Sequence, residues 1–116
     1  MGMPSVSATK IVTLDFTQPL SFRVEVGNDM LGGTSFSIGE TSGTCTTETV
    51  PVPAASAVQF STLNLITTVE DNNLATNRTA VTYHIRNGGR EMSFPFELVL
   101  PNNERFALYL IDFMFI

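Results

Sequence analysis

A chain of 116 residues has room for one domain with a substantial core and not for two. Hydrophobic residues make up 43% and charged residues only 15%, which is too apolar for a disordered chain and too poor in charge for an ordinary helical cytosolic protein. A net charge of −5 argues against nucleic-acid binding through phosphates, and a lone cysteine, Cys45, excludes an internal disulfide or a cysteine-based zinc site.

The N-terminus carries no basic region followed by an apolar run, so no secretory signal is expected, and Val6 stands where a myristoylation motif at Gly2 needs Ser or Thr. No apolar run reaches membrane-spanning length, and Asp112 interrupts the most apolar tract, so no membrane partner is expected. Residues 1–9 are read as an arm.

From Lys10 onward Val12, Leu14 and Phe16 form one apolar face, and after Pro19 Leu20, Phe22, Val24 and Val26 form another. A hairpin would oppose Phe16 to Leu20, Leu14 to Phe22 and Val12 to Val24, while a crossing between two sheets with its corner at Pro19 is the competing topology. Gly27-Asn28-Asp29 is turn chemistry, and Thr34, Phe36 and Ile38 mark the next strand. Residues 39–56 are Thr-rich and then punctuated by Pro51 and Pro53. They read as a mixture of edge strand and long surface loop.

Val58 and Phe60 keep one parity and Leu63, Leu65, Thr67 and Val69 the other, which predicts a bulge near Ser61-Thr62. After the turn residues Glu70-Asp71-Asn72-Asn73, Val81, Tyr83 and Ile85 face inward, with Arg78, Thr82, His84 and Arg86 outward. Asn87-Gly88 between two alternating strands is the strongest hairpin signal in the chain. A two-residue loop pairs Tyr83 with Met92, His84 with Glu91 and Arg78 with Glu97. A four-residue loop ending at Arg90 keeps the same faces and pairs Arg86 with Glu91.

Met92, Phe94, Phe96, Leu98 and Leu100 then point inward, and a last hairpin with Asn102-Asn103 at its tip would set Leu98 against Ala107 and Phe96 against Tyr109. The residues from Phe106 to the end are apolar on both parities. A strand with one wet face alternates, so the second face needs a cover. Pro95, Val99, Phe106, Leu108 and Leu110 are the predicted interface residues.

The fold class that follows is all-β: an antiparallel sandwich or jelly roll of about eight strands with no substantial helix, one domain over residues 1–116. Chemistry-bearing motifs are sparse. A Ser-His-Asp or Cys-His arrangement has only His84 to use, and its outward position beside Glu91 reads as a surface pair. Gly33-Thr34-Ser35-Phe36-Ser37 lacks the second glycine of a nucleophile elbow, and Cys45 sits among threonines with no neighbouring base. Glu70-Asp71-Asn72-Asn73 with Asn77 offers hard oxygen ligands but matches no EF-hand spacing, so turn chemistry is the better account. No catalytic residue, cofactor or metal is assigned. Asn77-Arg78-Thr79 is a glycosylation sequon, meaningful in a secreted eukaryotic chain.

The expected function is a non-enzymatic structural or assembly protein that oligomerises through its C-terminal strand or docks onto a larger protein assembly. Small all-β subunits with Thr- and Asn-rich loops suggest a virion component: capsid, cement or tail. The alternative is a carbohydrate- or protein-binding β-sandwich module using the loops of residues 39–56 and 70–77. The absence of Trp and the inward assignment of Tyr83 and Tyr109 weaken its sugar-binding form.

Overall fold

Apolar residues alternate with polar ones along most segments, and a simple way to bury such rows is as the facing sides of two stacked sheets. The computed structural model describes residues 3–53, 55–73 and 75–116 and has this sandwich architecture. Gly2 lies outside the described residues. In chain order the strands are β1 (Ser5–Val12), β2 (Leu20–Val26), β3 (Leu31–Ile38), β4 (Thr41–Cys45), β5 (Val50–Pro51), β6 (Thr62–Glu70), β7 (Arg78–Asn87), β8 (Arg90–Val99) and β9 (Phe106–Phe115). One sheet has five strands in the order β1-β9-β6-β3-β4; the other has four, β5-β2-β7-β8.

The predicted inward rows form the core. Leu63, Leu65 and Val69 of β6, Val81, Tyr83 and Ile85 of β7, and Ala107, Tyr109, Ile111 and Phe113 of β9 are buried between the sheets. Each large apolar side chain so enclosed stabilises the fold by about 1.5–3 kcal/mol. Phe113 bridges the layers edge-on, its ring centroid 5.9 Å from that of Tyr83 and 5.0 Å from that of Phe94. The core hydroxyls satisfy one another. Tyr83 OH donates to Thr67 Oγ1 at 2.7 Å, which leaves the Thr67 hydrogen for Thr34 Oγ1 at 2.8 Å. Thr79 donates to the Leu98 carbonyl at 2.7 Å, so Tyr109 OH donates to Thr79 at 2.6 Å. Among the described residues no buried polar side-chain atom lacks a partner, as a dry core requires.

Three expectations are corrected and two open alternatives are decided. The hairpin between the first two strands does not form: β1 pairs parallel with β9 in the larger sheet, while β2 pairs with β7 in the smaller. The crossing with its corner at Pro19 is the observed topology. Residues 5–9, expected in an arm, belong to β1. The last hairpin is likewise a crossing, because β8 is an edge of the smaller sheet and β9 lies inside the larger one.

The β7–β8 hairpin pairs Arg86 with Glu91 and Tyr83 with Phe94, the register of the longer-loop alternative and not that of an Asn87-Gly88 loop. Asn87 pairs with Arg90, so the tip is Gly88-Gly89. The φ of 63° at Gly88 suits the first position of a type II′ turn. Asn87 stays in the strand because its side chain is used elsewhere: Oδ1 accepts from the Asp15 N–H at 2.7 Å and Nδ2 donates to the Asp15 carbonyl at 3.0 Å. These bonds tie the crossing segment 13–19 to the hairpin.

Finally, the parity change before β6 comes from a single 3-10 turn, Ala55–Val58, followed by Phe60 at a φ of 64°, and not from a bulge. The mixed reading of residues 39–56 is close: β4 edges the larger sheet and β5 the smaller, joined by a short surface loop.

Candidate functional site

The two outer faces of the sandwich differ sharply in chemistry. Outward positions of the smaller sheet carry Arg23 and Glu25 on β2, Arg78, His84 and Arg86 on β7, and Glu91 and Glu97 on β8. Arg78 and Glu97, expected to pair, do so across the diagonal of the observed register at 3.0 Å. This is an ordinary solvated face, and its exposed ion pairs add little to stability.

Outward positions of the larger sheet are nearly free of charge. Across the sheet they form rows: Ser7, Leu110, Ile66, Ser35 and Thr44 make one, and Ser5, Leu108, Thr68 and Gly33 the next. Phe106, Leu108, Leu110 and Met114 of β9 form an apolar ridge, widened by Ile66 of β6, 47% exposed, and Ile11 of β1, 65% exposed. Asp112 and Glu70 are the outward carboxylates of the two central strands, and Glu70 lies 3.6 Å from Arg105. Among the described residues no segment of the chain lies over this ridge. The N-terminal strand and β4 lie beside it as edges of the same sheet.

Next to the ridge the face is hollow. Small side chains on β3, Gly33 and Ser35, leave a depression of about 340 Å³ walled by Thr44, Thr46, Glu48, Ile66 and Thr68. A Cβ at Gly33 would meet nothing within 4 Å, whereas one at Gly32, facing inward, would come within 2.6 Å of Val26. Packing therefore explains Gly32 and leaves Gly33 unexplained by the monomer.

The predicted interface residues divide between the two faces. Phe106, Leu108 and Leu110 lie on the ridge, but Pro95 and Val99 are on β8, on the outer side of the other sheet, so the five do not form one patch. Ile11, Ile66 and Met114 belong to the ridge and were not predicted. Ile66 did carry a signal, an apolar residue at an outward parity position in a Thr-rich strand.

The sheet edges are blunted. Pro95 sits on β8, where its missing N–H turns away from β7; β5 contains Pro51; β4 has five residues. On β1, Lys10 occupies an inward-parity position and places Nζ 5.9 Å from the Phe96 ring centroid, at the open side of the sandwich.

Other candidate chemistry is thinner. His84 bonds Glu25 through Nε2 and Ser93 through Nδ1, both at 2.8 Å, in place of the expected pairing with Glu91. Ser93 stands directly opposite His84 and Glu25 diagonally across from it, beside a depression of about 300 Å³ lined by Ser21, Arg23, Thr49, Arg86 and Glu91. Cys45 is buried, and burial, with a smaller contribution from Glu48, pushes its thiol up and away from the reactive thiolate. In the 70–77 loop, Asp71 accepts from the Asn73 N–H and Asn73 from that of Ala75, so these oxygens serve turns. Among the described residues no group of three His, Cys, Asp or Glu side chains is placed to hold a metal, and no helix is long and apolar enough to cross a membrane. No protein-family model, curated protein or solved structure matches the chain.

Proposed function

We propose that the protein is a non-enzymatic structural subunit that self-associates through the open face of its five-stranded sheet, as part of a larger protein assembly such as a virion capsid, cement or tail layer. The observation that carries this reading is the apolar ridge of Phe106, Leu110, Ile66 and Met114, all exposed, with Leu108 half-buried among them, set in a face of serine and threonine. An exposed apolar patch of this extent on a small domain marks an interface. Five strands about 4.8 Å apart and roughly eight residues long present about 600–650 Å² in plan, and side-chain relief brings this near the ~800 Å² per partner of a standard interface. Two copies carrying −5 each repel at long range, so a contact between them is best made where charge is absent.

Because β9 is flanked on both sides, association uses its outer face and not strand addition. The blunted edges favour the same route. Thr- and Asn-rich loops and the Phe-rich core support the virion setting by composition alone. Sedimentation velocity on the full chain from micromolar to millimolar concentration tests the reading: the parent associates and Leu108→Asp, folded by circular dichroism, does not. An unchanged oligomeric state in that variant rejects it. The second reading, a carbohydrate- or protein-binding module, draws on the donor-rich depression beside His84, and a glycan-array screen with Arg86→Ala as control addresses it.

A further inference from the structure

The five-stranded face is complementary to itself, and the rows give the fit a definite register. β6 is its middle strand, with β9 and β1 on one side and β3 and β4 on the other. A two-fold axis lying in the interface along β6 turns the face over, so that β9 of one copy lies on β3 of the other and β6 lies on β6. The ridge is on β9 and the hollow is on β3. The same operation preserves position along the strands. Leu108 shares its row with Gly33, through Thr68, and Leu110 shares its row with Ser35, through Ile66.

We infer that two copies pack face to face about this axis, with Leu108 and Leu110 of each seated over Gly33 and Ser35 of the other and the two Ile66 side chains meeting at the centre. This rests on the self-association proposed above and adds its geometry. Facing sheets pack about 10 Å apart with strands inclined near 30°. The inclination displaces side chains least near the point where the two β6 strands cross, and Ile66, Leu110 and Ser35 lie near the middle of their strands.

The pairing gives Gly33 a role. Its hollow is open in the single chain, its backbone is not in the left-handed region, and no internal contact requires a glycine there. An isologous contact needs a ridge and its complement on the same surface, and an apolar ridge beside a hollow of about 340 Å³ floored by Gly33 and Ser35 meets that condition. Glu48, on the hollow's rim, is turned back on its own loop, where it accepts hydrogen bonds from the Thr46 N–H and hydroxyl.

The test uses Leu108→Asp and Gly33→Lys, singly and mixed. Gly33→Lys adds a side chain where the monomer has open space, so the fold is retained, and circular dichroism checks both variants. Each alone leaves a charge buried without a partner in both symmetric contacts, and each is expected to weaken association at least about thirtyfold. An equimolar mixture is expected to recover a one-to-one heterodimer, because one contact then pairs the new carboxylate with the new ammonium and the other is native. Sedimentation velocity, with one variant carrying a fluorescent label, reads the outcome. If Leu108→Asp is monomeric while Gly33→Lys associates like the parent, or if the mixture stays monomeric, the ridge-in-hollow register is overturned and the open-face reading survives. If Leu108→Asp associates like the parent, or the parent itself is a monomer throughout, both fall together.

Discussion

The side chain of Asn87 is a buried polar group that joins the β1–β2 crossing to β7, and its removal has a calculable effect. Only 5% exposed, it accepts the Asp15 N–H at 2.7 Å and donates to the Asp15 carbonyl at 3.0 Å, with longer approaches to the carbonyls of Gln18 and Pro19. Two good hydrogen bonds contribute about 1 kcal/mol each, and Asn87→Ala also leaves the Asp15 N–H without its partner, so the total loss is about 2–4 kcal/mol. For a domain of this size that lowers the melting temperature by roughly 8–16 °C. Asn87→Asp keeps the acceptor but turns a carboxylate toward three carbonyl oxygens. That raises the introduced group's folded pKa, so the variant's stability is greatest below about pH 4, the ordinary aspartate pKa, and is lost as pH rises from there toward the raised folded value. Urea denaturation followed by tryptophan-free near-ultraviolet circular dichroism and by calorimetry, at pH 5 and pH 7.5, measures both effects. A loss below about 0.5 kcal/mol in Asn87→Ala refutes the view that this amide anchors the β1–β2 crossing, and a pH-independent Asn87→Asp refutes the electrostatic part.

Three further outcomes are expected. Burial raises the pKa of both tyrosines above their ordinary value, Tyr83 most strongly, so the stability they confer is complete below about pH 10 and declines above it as the unfolded chain ionises. Tyr83 alone contributes a fall of about 1.4 kcal/mol per pH unit, and absorbance at the tyrosinate wavelength should rise together with unfolding; ionisation well before unfolding would contradict this. Phe60 is 73% exposed at a φ of 64°, a conformation costly to a bulky side chain, so Phe60→Asn should stabilise by about 0.5–1 kcal/mol in thermal denaturation. A destabilised variant would mean that the ring makes a contact worth more than the strain. Pro95→Thr restores an N–H on the outer edge of β8 and should increase concentration-dependent light scattering while leaving stability within about 0.5 kcal/mol; unchanged scattering would show that this proline does not guard the edge.

What could be read from the residues and what could not divide along a physical line. Parity tells which side chains face inward, and Val81, Tyr83, Ile85, Leu63, Leu65, Ala107, Tyr109 and Phe113 are where their alternation places them. Parity does not tell which sheet a strand joins. A hairpin and a crossing both keep the same side inward, and the two wrong hairpins, at Pro19 and near Pro101, are both crossings between the sheets. The Asn87-Gly88 register failed for a different reason. Its turn chemistry is local, but the side chain of Asn87 bonds a segment 72 residues earlier in the chain, and that contact holds the asparagine in the strand. The candidate site was half legible: the doubly apolar run marked Phe106, Leu108 and Leu110, while the hollow beside them needed the β3–β6–β9 pairing to appear.

That pairing also bears on how far assembly through this face can go. A face-to-face pair about a two-fold axis consumes the surface that makes it, so it closes at two copies and does not grow. A shell, tube or layer built from such pairs needs a second contact, and the remaining surfaces are the charged outer face of the smaller sheet and the polar loops at the ends of the sandwich. Contacts made by Arg23, Arg86, Glu91 and their neighbours would be screened by salt, whereas the Leu108–Gly33 contact would not. Raising ionic strength from about one-tenth molar to about one molar should therefore dissolve any larger assembly into pairs and leave the pairs intact. Pairs that dissociate at high salt before the larger assembly does would reverse the assignment of the two faces.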